Sequence, residues 1–116
     1  MKSEKKIKHE ILSVIGKRDD VRLFPISVGL VVSLQNAKDD KPLRPFRSAP
    51  KGFPDICGIM KNGKFLAVEV KSGVGKMRSE QRAFKKMVLD MDGVHVVARC
   101  VEDVEKVLEY WWRRID

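Results

Sequence analysis

Apolar residues recur along the chain at spacings that predict three helices. From Ser3 to about Gly16 they follow one another at i, i+4, i+7 and i+8, with Ser3 as the N-cap and Gly16 as the stop. A second helix is expected to begin at Ser79 and to end at Gly93, and a third to cover Glu102 to Arg114. The apolar positions of the three helices are Ile7, Ile11, Val14 and Ile15, then Phe84, Met87, Val88 and Met91, then Val104, Val107, Leu108 and Trp111.

Runs of β-branched and aromatic residues between the helices predict strands. The first run, from Val21 to Leu34, is broken or bent near a proline and a glycine. Asp55 to Met60 and Lys64 to Lys71 flank an Asn-Gly pair, which is a strong hairpin signal. His95 to Arg99 is the last predicted strand.

The segment from Asn36 to Lys51 is polar and contains three prolines, so it is expected to be a long irregular connection. The resulting order α-β-β-β-α-β-α predicts an α/β fold with a mixed central β-sheet flanked by helices. A chain of 116 residues fits a single domain over residues 1–116.

Composition adds a class of partner to this fold. The chain has 24 Lys+Arg against 16 Asp+Glu, a net charge of +8, and it is 43% hydrophobic. A folded domain with this charge favours a polyanionic partner such as DNA, RNA or an acidic membrane surface. The longest apolar stretch, Val28 to Leu34, is far too short to span a membrane, and the charged start lacks the apolar core of a secretory signal. We therefore expect an intracellular protein with two buried thiols, Cys57 and Cys100.

Two short motifs contain the candidate chemistry. Gly52-Phe53-Pro54-Asp55 stands at the entry of one predicted strand, and Glu69-Val70-Lys71 ends its hairpin partner. The carboxylates of Asp55 and Glu69 are hard oxygen ligands, which Mg²⁺ and Mn²⁺ prefer. Lys71 shares a strand face with Glu69, where its charge can help to position or deprotonate a nucleophile and offset charge on phosphorus.

The register of this hairpin decides whether the two carboxylates meet. With a two-residue turn at Asn62-Gly63, Asp55 faces Val70 and points away from Glu69. With a three-residue loop that includes Lys61, and with Gly63 in the left-handed conformation, Asp55 lies opposite Glu69. We predict the second register. It places Asp55, Cys57, Phe65, Ala67, Glu69 and Lys71 on one face and Ile56, Leu66, Val68 and Val70 on the other.

Two further polar residues stand on or beside predicted apolar helix faces. Glu10 lies at the edge of the first helix's stripe, where its carboxylate can reach the ion directly or through water. Gln81 stands one turn before Phe84, where its amide can orient Lys71, the water or a phosphate. Alternatively, both are boundary residues satisfied by water or backbone, and Glu-x-Lys is a chance ion pair on a surface hairpin.

Together these residues resemble the signature of the VRR-NUC (virus-type replication-repair nuclease) domain, of the PD-(D/E)xK nuclease superfamily. The resemblance covers about Ile7 to Ile115. It implies a restriction-endonuclease-like core and a DNA endonuclease that depends on Mg²⁺ or Mn²⁺. In the family, the residues matching Asp55 and Glu69, with the carbonyl matching Val70, bind the ion. Those matching Lys71 and Gln81 assist hydrolysis, and the one matching Glu10 completes the acidic site.

The resemblance also implies a biological setting. It would make the chain a minimal stand-alone member, a homodimer with structure-specific activity on branched DNA such as Holliday junctions, in a bacterial or virus-infected host cytoplasm. The candidate DNA-binding residues are Lys51, Arg44, Arg47, Lys76, Arg78 and Arg82. Two other interpretations stay open: a nucleic-acid-binding domain that keeps the nuclease fold without catalysis, and an interaction module for an acidic protein.

Overall fold

A computed structural model describes residues 2–26, 30–32, 45–47 and 51–114 of the chain. These ranges contain three helices and six strands. In chain order they are α1 (Glu4–Ile15), β1 (Val21–Pro25), β2 (Leu30–Val32), β3 (Pro45–Arg47), β4 (Ile56–Met60), β5 (Phe65–Val70), α2 (Ser79–Asp90), β6 (Val94–Ala98) and α3 (Val101–Trp112).

The three helices form where the apolar periodicity predicts them. Ser3 is the N-cap of α1, and its hydroxyl accepts the N–H of Lys6 at 3.2 Å. The predicted apolar faces were wrong for Val14 in α1 and for Met87 and Met91 in α2, because these side chains are exposed. The stripe with which α2 covers the sheet is narrow, and the residues it buries are Gln81 and Val88.

Four strands form the main sheet, in the order β1-β4-β5-β6. The pairs β1–β4 and β4–β5 are antiparallel, whereas β5 and β6 are parallel, so the connection between them is a crossover through α2. This mixed sheet with flanking helices confirms the predicted α/β fold and is consistent with a restriction-endonuclease-like core.

Several local expectations need correction. The run from Val21 to Leu34 is broken after Pro25, as predicted, but its second part, β2, does not join the main sheet and pairs instead with β3 in a separate sheet. β3 begins at Pro45, inside the segment predicted to be irregular. A proline is tolerated there because the first residue of an edge strand need not donate an N–H. The rest of 36–50 lies outside the described residues. Cys100 is exposed at the N-cap of α3 and Cys57 is only half-buried, so neither is the buried thiol predicted.

The hairpin of β4 and β5 has the register that the carboxylate site requires. Ile56 pairs with Val68 and Ile59 with Phe65, so the same ladder continued by one residue sets Asp55 opposite Glu69. Gly63 has φ 86°, and its N–H donates to the carbonyl of Met60 at 2.8 Å. The predicted three-residue loop is therefore confirmed.

The hydrophobic core lies between one face of the main sheet and the helices α1 and α3. Its buried members are Ile7, Ile11, Ile15, Val21, Ile56, Met60, Leu66, Val68, Val70, Val94, Val96, Ala98, Val104 and Leu108. Because side chains alternate along a strand, Asp55, Glu69 and His95 belong to the opposite face, which α2 covers. Within the described ranges, no helix combines the length and the apolar character that a membrane span requires.

Candidate active site

The entry of β4 packs directly against the start of α2. Gly52 has φ 85°, and a Cβ at this position would overlap the carbonyl oxygen of Glu80 in α2, so only glycine fits there. The ring of Phe53 contacts that of Phe84 with centroids 4.9 Å apart, and Pro54 is fully buried. The motif that precedes Asp55 therefore fixes this residue between the sheet and α2.

The side chains of Asp55 and Glu69 are neighbours on the α2 face of the sheet, close enough for Asp55 to affect the pKa of Glu69. Asp55 Oδ2 accepts the backbone N–H of Val70 at 2.9 Å. Glu69 is only 3% exposed. Burial, followed by the hydrogen bond with Asp55 and its negative charge, raises the pKa of Glu69 to about 8. Two carboxyl groups in this arrangement require a proton or a cation between them to be stable.

Gln81 fixes the orientation of Glu69. Its Nε2 donates to Glu69 Oε1 at 2.8 Å, and its Oε1 accepts the backbone N–H of Arg78 at 2.8 Å. Gln81 is 5% exposed, so it is not a solvated boundary residue. The same amide thus satisfies one free N–H at the start of α2 and holds the carboxylate, whereas the sequence had suggested Lys71, the water or a phosphate as its target.

Lys71 directly follows β5 and is 8% exposed. Its backbone N–H donates to the carbonyl of Ala98 at 3.0 Å, which continues the parallel ladder and keeps the side chain on the Glu69 face. The charges of Lys71 and Arg78 both act to lower the pKa of Glu69, against the larger effect of burial. None of the ion pairs in the described part of the chain joins Lys71 to Glu69, so the tripeptide is not a simple surface pair.

Glu10 lies apart from this pair of carboxyl groups. It is on α1, whose buried residues pack on the other face of the sheet, and it accepts a hydrogen bond from the ammonium of Lys2 at 2.9 Å. Among residues 2–26, 30–32, 45–47 and 51–114, no three His, Cys, Asp or Glu side chains are grouped so as to hold a metal ion. The role of Glu10 therefore stays a prediction.

The donor set formed by Asp55 and Glu69 nevertheless fits a hard divalent cation. One oxygen of each carboxylate accepts an N–H, from Val70 and from Gln81 respectively. The other oxygen of each accepts no N–H from the described residues. Outer hydrogen bonds of this kind commonly orient the ligands of a metal, and they leave an oxygen of each group available to it.

The basic candidates have different surroundings. Lys51, Lys76, Arg78 and Arg82 are exposed. Arg82 Nη1 donates to the carbonyl of Met77 at 2.6 Å, in the loop that leads into α2. Arg47 ends β3, and Arg44 lies outside the described residues.

Two residues near the site were missed in the sequence. His95 is a neighbour of Ala67 on the Glu69 face, and its Nδ1 is buried with no hydrogen-bond partner in the described residues. Burial, with a smaller effect of Lys85, lowers the pKa of His95 to about 4. Arg99 follows β6 and donates to two carbonyls of the 71–78 loop. Two signals could have found these residues. Strand alternation predicts the face on which His95 lies, and a parallel pairing of β5 and β6 places Arg99 at the same sheet edge as Lys71.

A protein-family model described as the VRR-NUC domain matches residues 30–102, well over half of the chain. The chain belongs to the VRR-NUC domain family. VRR-NUC is a family of nucleases, so membership suggests nuclease activity and DNA binding. The VRR-NUC match includes Asp55, Glu69, Lys71 and Gln81, and it begins after α1, so that Glu10 lies outside it. A search among curated proteins found no match.

Proposed function

We propose that this VRR-NUC protein is a DNA endonuclease that hydrolyses phosphodiester bonds with Mg²⁺ or Mn²⁺. The ion would be held by Asp55, Glu69 and the backbone carbonyl of Val70. The main support is the facing pair of carboxyl groups, one of them buried, on the sheet face that α2 covers. A domain that only binds DNA gains nothing from like charges placed together beside phosphate, because they repel the ligand unless a cation joins them.

Each residue of the site has a distinct task in this proposal. A divalent cation bound here supplies Lewis-acid polarisation of the phosphodiester and neutralises its charge. The Val70 N–H and the Gln81 amide keep the two carboxylates in position, so little reorganisation is needed when substrate arrives. The ammonium of Lys71 lies on the same face and offsets the negative charge that develops on the phosphate oxygens.

For the substrate, we propose branched DNA, with Holliday junctions as the first example to test. The VRR-NUC signature implies this class. The exposed cations around the site, Lys51, Lys76, Arg78 and Arg82, suit contacts to phosphates, which position a duplex without reading its sequence. A homodimer, which the signature also implies, would supply two sites for paired incisions.

A cleavage assay on a panel of DNA structures tests the proposal. Linear duplex, flap and four-way junction DNA of matched sequence are incubated with the protein in Mg²⁺, in Mn²⁺ or in EDTA. We expect cleavage of the branched forms with either ion and none in EDTA. Cleavage that persists in EDTA would contradict the metal requirement. Salt-sensitive binding without cleavage under any condition would instead identify a non-catalytic binding domain.

A further inference from the structure

A basic cavity lies beside the candidate active site, at the edge where β5 and β6 end. Its volume is about 440 Å³, and three cations line it: Lys76, Arg82 and Arg99. Within the part of the chain that the structure describes, no acidic side chain contributes to the lining. Because β5 and β6 are parallel and Val70 pairs with Ala98, Lys71 and Arg99 leave the sheet at the same edge. The cavity is therefore a neighbour of the Glu69-Val70-Lys71 segment.

The two arginines of this cavity are held in place by backbone carbonyls. Arg99 Nη1 donates to the Gly73 carbonyl at 2.6 Å and its Nη2 to that of Gly75 at 2.7 Å. Arg82 Nη1 donates to the Met77 carbonyl at 2.6 Å. A guanidinium has five N–H donors, so each arginine retains donors for a ligand while its position is already fixed.

These contacts leave the positive charge of the cavity uncancelled. Three cations elsewhere in the described ranges pair with acids, Lys2 with Glu10, Arg18 with Asp20 and Lys86 with Asp90, whereas Lys8 and Lys64 donate to carbonyls. In the cavity the guanidinium partners are neutral carbonyls, and the nearby Asp103 carboxylate is bonded to the backbone N–H of Arg99. Fixed guanidinium groups with free donors are the arrangement that favours phosphate.

We propose that Lys76, Arg82 and Arg99 form an anion site that holds a DNA backbone phosphate flanking the one to be cleaved. This inference rests on the proposed nuclease function, since it concerns the same DNA strand. A strand whose phosphate lies at Asp55 and Glu69 carries further phosphates along its backbone, and the adjoining cavity provides their counter-charge. Arg99 thereby joins the DNA-contacting residues and also fixes the loop between Lys71 and α2.

The salt dependence of DNA binding tests this site. The affinity of the full chain for a linear duplex is measured over a range of salt concentrations in EDTA, so that cleavage and divalent ions do not interfere. We expect Arg99→Gln and Lys76→Gln each to reduce the log–log salt slope by about one, as the loss of one phosphate contact does. Lys106→Gln is the matched control, because Lys106 is exposed on α3, on the other face of the sheet.

The choice of two variants separates binding from loop stability. Lys76 makes no hydrogen bond to the loop among the described residues, so Lys76→Gln removes charge without loosening the structure. Slopes equal to that of Lys106→Gln for both variants would overturn the proposal. A slope change for Arg99→Gln alone, with a lowered melting temperature, would also overturn it in favour of a structural role. Reduced slopes in a protein that never cleaves DNA would contradict only the proposed nuclease function.

Discussion

The two faces of the main sheet have opposite characters although they are built from the same strands. Toward α1 and α3, the strands present only apolar side chains, such as Ile56, Leu66 and Val68, all of them fully buried. Toward α2, the same hairpin presents buried Glu69, with Lys71 beyond it, and Gln81 covers them from the helix. A shift of one residue in register would exchange the two sets.

This difference separates stability from chemistry by face. Apolar burial on the α1 and α3 face stabilises the fold, because each buried aliphatic side chain contributes roughly 1.5–3 kcal/mol. On the α2 face, burial of a carboxyl group opposes folding unless a proton or a cation is bound. Substitutions on the α1 and α3 face should therefore lower stability, whereas those on the α2 face should change cleavage and the pH dependence of stability.

The largest effect is expected from Asp55→Asn on the α2 face. The amide oxygen can still accept the Val70 N–H, but it lacks the charge that holds a divalent cation. We expect metal-dependent cleavage to fall by about 10²- to 10³-fold. The melting temperature should be no lower than that of the unchanged protein, because asparagine removes the negative charge beside buried Glu69. Single-turnover cleavage and thermal unfolding measure the two quantities, and full activity in the variant would contradict the assignment.

Leu66→Ala tests the sheet face that packs against α1 and α3. Leu66 is fully buried in the core, so its truncation should lower the free energy of unfolding by about 2–5 kcal/mol. Phe65→Ala is the matched control on the α2 face, where Phe65 is 38% exposed, and it should cost clearly less. Denaturant unfolding measures both, and equal losses would show that the faces do not differ in this way.

Glu69→Gln sharpens the comparison through pH in the metal-free protein. The folded pKa of Glu69, about 8, is raised above the ordinary value of 4.5, so the stability associated with the proton is complete below pH 4.5 and is lost as pH rises through 8. Relative to Glu69→Gln, the unchanged protein should lose about 2–4 kcal/mol over this window. Unfolding measured in EDTA from pH 4.5 to 9 tests this, and parallel profiles would contradict it.

His95 should also make stability depend on pH, but by a smaller amount and in the opposite direction, with stability lost as pH falls. The folded pKa of His95, about 4, lies below the ordinary value of 6.5. The stability associated with the neutral imidazole is therefore complete above pH 6.5 and is lost as pH falls through 4. The variant His95→Leu should resist acid better than the unchanged protein, by about 1 kcal/mol at pH 5. Melting temperatures of both proteins at pH 5 and pH 7 provide the measurement. An identical change for the two would show that His95 is not the group involved.

The sequence was informative where short-range rules decide the structure. Asn62-Gly63 predicted a hairpin but allowed two registers. The requirement that Asp55 meets Glu69, with two largely apolar faces, selected the one that the structure has. The apolar periodicity of α1 and α3 also predicted these helices, because residues such as Ile11 and Leu108 face a single core.

Contacts that depend on packing between distant elements were not predictable. The bond of Gln81 to Glu69 follows from the closeness of the start of α2 to the end of β5, which Gly52 permits. The hydrogen bonds from Arg99 to the carbonyls of Gly73 and Gly75 require the segment after β6 to meet the 71–78 loop, and no local sequence pattern predicts this contact. The pairing of β2 with β3 was missed because strands of three residues give little periodic signal.

The most direct test of the α2 face as an active site is the single-turnover cleavage of a four-way junction in Mg²⁺ by the unchanged protein and by Lys71→Met. Methionine retains the length and apolar stem of a side chain that is 8% exposed, so the fold should persist without the ammonium. We expect a rate at least 10²-fold lower for the variant, with unchanged DNA affinity in EDTA. Equal rates for the two proteins would contradict the claim that this face performs the hydrolysis.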